Sequence, residues 1–102
     1  MTDLVKAKMA ELESLCRKYG VTRLELFGSA ASGSFDPRRS DLDFLVTFRP
    51  GTPTEHADRY FGLLASLQDL FQRQIDLIEY GAIQNPYFKT GVDANRVAIY
   101  AA

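Results

Sequence analysis

The seven residues Leu42–Phe48 restrict the fold more than any other stretch of the chain. Five of them are apolar, turn-forming residues bound them, and they read as a β-strand. A period of two puts Asp41, Asp43, Leu45 and Thr47 on one face and Leu42, Phe44, Val46 and Phe48 on the other. Two carboxylates therefore stand about 6–7 Å apart on one side of an apolar strand, which is expected to be central. Like charges so placed repel. The arrangement persists with both acids solvated, or with a divalent cation ligated by both. The apolar neighbours favour the cation, and oxygen-only ligands suit magnesium or manganese rather than zinc.

The flanking sequence supplies the rest of an α/β layout. Val5, Met9, Leu12, Cys16 and Tyr19 recur at steps of three and four, which predicts a helix over residues 3–19 with one buried face, stopped by Gly20. Val21–Phe27, rich in branched and aromatic residues, predicts a strand. Downstream, Thr54 is expected to cap a helix that carries Ala57, Phe61, Leu64, Leu67 and Phe71 on one stripe. Residues 74–79 predict a third strand with Asp76 in its middle, Asn85-Pro86 a helix start, and residues 97–100 a last short strand. The order is α-β-(loop or short α)-β-α-β-α-β.

Composition narrows the function classes. At 102 residues the chain makes one domain, spanning 1–102, and 46% hydrophobic with 25% charged residues is the balance of an ordinary globular domain. Twelve Lys and Arg against thirteen Asp and Glu leave a net charge of -1, which argues against direct nucleic-acid binding through bulk attraction. Cys16 is the only cysteine, so no internal disulfide forms and a reducing compartment is expected. No apolar run approaches the ~20 residues that span a bilayer, and the N-terminus is unlike a secretory signal, so the chain is expected to be cytoplasmic.

Between the first two strands, Gly28, Ala30, Ala31 and Gly33 carry almost no side chain, while Ser29, Ser32 and Ser34 offer hydroxyls. Such a loop lets backbone N–H groups approach a phosphate. It has neither the ending of a P-loop nor the spacing of a dinucleotide fingerprint. A triphosphate held between this loop and carboxylate-bound metal is the chemistry that fits.

Leu26-Phe27-Gly28-Ser29, then Gly33, Ser40-Asp41-Leu42-Asp43-Phe44-Leu45-Val46 and Ile75-Asp76-Leu77-Ile78 resemble the DNA polymerase beta-type nucleotidyltransferase superfamily. The length, with the ending from Asn85-Pro86-Tyr87 to Ala98-Ile99-Tyr100, is similar to its minimal branch, encoded beside HEPN-domain ribonuclease toxins. The resemblance implies a small mixed β-sheet with helices packed on it. It implies that Gly28 and Ser29 hold nucleotide phosphates, that Asp41 and Asp43 bind metal, and that Asp76 is the third acid, binding the catalytic metal and assisting removal of the acceptor's proton. It further implies two Mg2+ ions, with Mn2+ as a substitute, and transfer of AMP from ATP to a hydroxyl of a HEPN toxin, which makes the chain an antitoxin. Many small members carry arginine where this chain has Ser32; Arg38 and Arg39 read as solvated turn charges, with replacement of that cation as the alternative. The alternatives are a binding module that neutralises its partner by covering it, and a catalytic subunit for small-molecule nucleotidylation. Self-association stays open.

Other residues read more plainly. His56 is expected to face solvent and Cys16 to lie in the core. Tyr80, Tyr87, Phe88 and Tyr100 are assigned to core packing, with an apolar partner surface as the alternative.

Overall fold

The computed structural model describes residues 2–32, 36 and 41–102. Of the expected loop and turn, Gly33, Ser34, Arg38, Arg39 and Ser40 lie outside the described residues, as does the side chain of Ser32. The elements are α1 (Asp3–Lys6), α2 (Met9–Lys18), β1 (Val21–Phe27), α3 (Ser29–Ser32), β2 (Leu42–Phe48), α4 (Pro53–Phe71), β3 (Ile75–Glu79), a 3-10 turn (Tyr80–Ala82), α5 (Pro86–Ala94) and β4 (Val97–Ala101).

The four strands form one sheet in the order β3-β2-β1-β4. β1 pairs antiparallel with both β2 and β4, whereas β2 and β3 are parallel. A parallel pair needs a long crossover, and the 19 residues of α4 supply it. The sheet is therefore mixed, with β3 and β4 at its edges.

The two faces of the sheet are covered unequally. Leu42, Phe44 and Val46 of β2 join Leu24 and Leu26 of β1 in a core closed by Leu12 and Cys16 of α2 and by Leu63, Leu67 and Phe71 of α4. Among the described residues the opposite face holds a smaller cluster, Phe27 and Leu45 with Val92 of the nine-residue α5, against which Ile78, Tyr80 and Ile83 pack. Burial pushes the Cys16 thiol up to about 12, which keeps it protonated as a core residue.

Two local expectations are corrected. The first helix is broken at Ala7 and Lys8, with Lys8 at φ -116°. Val5, Leu12 and Cys16 stay buried across the break, so the stripe is real although the helix is not continuous. The cap of α4 is Thr52 rather than Thr54: its hydroxyl accepts from the Glu55 N–H at 3.2 Å, and the Glu55 carboxylate accepts from the Thr52 N–H at 3.0 Å. Pro53 fills the first helical position, where a missing N–H costs nothing. Among the described residues no helix is long and apolar enough to cross a membrane.

Candidate active site

The site forms where β2 and β3 run side by side next to the end of β1. Leu42 and Phe44 point into the larger core, so alternation turns Asp43 to the other face, opposite Phe27 of β1. On its second side Asp43 is in register with Asp76 of β3. Their register sets the two carboxyl groups side by side, close enough that a proton on Asp43 lets it donate to Asp76.

That proton stays on toward neutral pH. The Asp43 carboxyl is pushed up from its ordinary 3.8 to about 7, chiefly by burial, then by the hydrogen bond to Asp76 and by the negative charges of Asp76 and Asp41. Asp43 is half-buried, whereas Asp41, just before β2, and Asp76 are exposed. The structure thus brings Asp43 and Asp76 into contact and sets Asp41 within electrostatic reach of Asp43.

Gly28 completes the arrangement from β1. It sits directly after the strand with φ +68°, a conformation that side chains resist. A Cβ there would stand 2.5 Å from Oδ2 of Asp43. The carboxylate of Asp43 therefore lies over a left-handed backbone turn that favours glycine, with no room for a Cβ unless the carboxylate moves. Ser29 follows as the first residue of α3, and the Ala31 N–H closes the turn by donating to the Gly28 carbonyl at 3.2 Å.

Among the described residues no three His, Cys, Asp or Glu side chains stand together as a ready cage for an ion. The donor set still suits a particular kind of cation. Mg2+ is usually bound through one or two carboxylates and completed by substrate phosphates and water. The Asp43–Asp76 pair offers hard oxygens and a shared proton at the place where a cation would neutralise both charges.

Glu25 escaped the sequence reading. It lies on the same face of β1, paired with Leu45, and is only 4% exposed. Arg23 Nε meets it at 3.1 Å and Arg96 Nε at 3.6 Å, so the buried charge is neutralised from two sides. Arg96 also reaches Asp93 at 3.4 Å and lies 4.6 Å above the Tyr80 ring, whose hydroxyl donates to Asp93 at 2.9 Å. This network ties the end of α5 to the sheet beneath the site. The signal was present: an acid between Leu24 and Leu26 needs a partner as much as Asp43 does.

His56 is not simply solvent-facing. It is half-exposed, meets the carboxylate of Glu79 and stands edge-on to Phe48 with centroids 5.6 Å apart. The aromatic residues near the C-terminus also depart from expectation, because Tyr87 is 88% exposed and Phe88 43%.

A family model described as "Nucleotidyltransferase domain" matches residues 9–99. A protein of Methanocaldococcus jannaschii, provisionally named a protein adenylyltransferase, is 34% identical over 85 residues, covering 83% of each chain. A solved structure provisionally described as a minimal nucleotidyltransferase has a TM-score of 0.68 at 29% identity, covering 94% of this chain and 95% of that one. The same fold recurs at 14% identity and TM-score 0.65 in a complex of a tri-AMPylated Shewanella oneidensis HEPN toxin with its MNT antitoxin, covering 95% of this chain and 72% of that one. It recurs again at 18% identity and TM-score 0.70 in a toxin–antitoxin complex with AMP-PNP, covering 92% and 73%. The polymerase beta-like α/β fold expected from the sequence is the fold found.

Proposed function

Because the chain belongs to the nucleotidyltransferase domain family, we propose that it moves AMP from ATP onto a hydroxyl of a partner HEPN toxin and so acts as an antitoxin. The observation that carries this reading is the Asp43–Asp76 pair, in register across β2 and β3, with Asp43 laid over the Gly28 turn. A shared proton between two carboxylates beside an open backbone turn is a place for a cation and a phosphate together. The name of the archaeal relative and the AMPylated toxin in the neighbouring complex support AMP as the group and a protein as the acceptor.

Asp41, Asp43 and Asp76 would hold Mg2+, two ions in the expected arrangement, with Mn2+ as a substitute. Bound magnesium supplies neutralisation of the triphosphate and a lower proton affinity at the attacking hydroxyl. Backbone N–H groups at Gly28 and the Ser29 hydroxyl orient the phosphate oxygens. The acceptor oxygen forms a bond to the α-phosphorus as the bond from that phosphorus to the bridging oxygen breaks, and pyrophosphate departs with the electron pair. Asp76, the exposed member of the pair, would assist removal of the acceptor's proton. Most of the rate then comes from positioning and charge stabilisation.

The test incubates the full chain, Mg2+ and a HEPN-domain toxin with ATP labelled at the α or the γ phosphate. Label retained on the toxin from the α position only, and lost with Asp43→Asn, is the expected result. Label from the γ position would mean a kinase. No label, with the toxin silenced equally well by Asp41→Ala and Asp43→Ala variants, would establish a covering module instead.

A further inference from the structure

Helix α5 leaves a crevice of about 310 Å3 against the end of β1, at the lower end of the roughly 300–1,000 Å3 that ligand pockets span. Gly28 forms one wall, so the crevice opens directly from the turn assigned to the phosphates. Phe27, Tyr87 and Phe88 line the rest, and Asn95 brings a side-chain amide. The Phe88 ring meets Phe27 edge-on at 6.3 Å, which fixes an aromatic floor. Tyr87 stands at the lip with 88% of its surface exposed, an apolar ring that the folded chain itself leaves uncovered.

Gly91 adds a separate observation. It lies inside α5, where glycine weakens a helix relative to alanine. A Cβ at this position would meet no described atom within 4 Å, and its backbone is not left-handed. Neither turn geometry nor packing within the chain demands glycine there. The space left by its absent side chain is part of the crevice.

We propose that this crevice is the nucleobase pocket: the base stacks on Tyr87, its polar edge meets the Asn95 amide, and Gly91 keeps the space open. The inference rests on Gly28 as the phosphate turn. A flat aromatic ligand attached to phosphates fits both ends of the cavity, apolar at α5 and backbone-lined at Gly28.

Calorimetric titration of the full chain with ATP, and separately with inorganic tripolyphosphate, both with Mg2+, tests it. Wild type is expected to bind ATP more tightly than tripolyphosphate. Tyr87→Ala should weaken ATP about tenfold or more, the range of base stacking on an aromatic, while Tyr87→Phe stays within about twofold. Gly91→Leu fills the crevice and should weaken ATP by a similar factor, with thermal unfolding unchanged or raised. Tripolyphosphate binding should be the same in all four proteins. Equal affinity of wild type for ATP and tripolyphosphate, or ATP binding indifferent to Tyr87→Ala and Gly91→Leu, overturns the pocket and leaves the phosphate turn standing. If wild type binds neither, the phosphate turn itself is wrong and the pocket falls with it.

Discussion

Replacing Asp43 by asparagine is expected to make the metal-free protein more stable above pH 7 while abolishing transfer. The native carboxyl holds its proton up to about 7 against an ordinary value of 3.8, so between about pH 4 and 7 the folded chain binds more protons here than the unfolded chain. Stability from this group is therefore fully present below about pH 4, is lost as the pH rises through that window, and is level above it. At about 1.36 kcal/mol for each tenfold change in proton affinity, the difference bounds the penalty at about 4 kcal/mol. Water on the open side of the pair screens part of this, leaving on the order of 1–2 kcal/mol at pH 8. Asparagine keeps the shape and can donate to Asp76, so the variant should lose that slope and gain about that much. Urea unfolding in the presence of a chelator at pH 4, 6 and 8 measures it. A variant no more stable than wild type at pH 8, or one that keeps the slope, would refute the assignment of the buried proton to Asp43.

Gly28→Ala should destabilise the fold by about 2 kcal/mol or more, from a left-handed backbone and a collision with Asp43, and should abolish transfer; an unchanged denaturation midpoint with intact labelling contradicts this. Arg96→Ala leaves Glu25 with Arg23 as its one ion-pair partner among the described residues and should cost about 1–3 kcal/mol. The double variant with Glu25→Gln should lose less than the sum of the singles, as read from a double-mutant cycle by denaturant unfolding. Thr52→Ala removes the capping box of α4 and should cost about 1 kcal/mol with transfer activity unchanged, which thermal melts and the labelling assay check together.

Period and alternation made the strands legible: Val21–Phe27 and Leu42–Phe48 have the bounds that the apolar pattern predicts. The break in the first helix was not legible, because Ala7 and Lys8 carry no breaker chemistry and the buried stripe continues through them. The true cap of α4 was written in the chain as Thr52-Pro53-x-Glu55, and a proline at the first helical position identifies it. The spacing of Asp41 and Asp43 was visible as a strand pattern. The register of Asp43 with Asp76 was not, since it depends on a parallel pairing set by a 19-residue crossover rather than by neighbouring residues. Likewise the exposure of Tyr87 and the burial of Glu25 depend on where α5 lands, which no local pattern specifies.

The unequal faces of the sheet link these points. Helices α2 and α4 seal one face with leucine, valine and phenylalanine, and that core supplies most of the burial that holds the chain folded. Among the described residues the other face carries a thinner cover, Val92 of α5 with Ile78, Tyr80 and Ile83, and α5 is fastened through Arg96 and Asp93 at its C-terminal end. With so little cover, Asp76 stays open to solvent while Asp43 is half-withdrawn from it, and the pair is left with a repulsion that a proton relieves and a cation would relieve better. A sealed second face would favour uncharged side chains in place of the acids, and an uncovered one would leave Asp43 near its ordinary proton affinity. The thin cover of this face therefore goes with both the accessibility of the site and the charge imbalance that suits a metal-bound nucleotide.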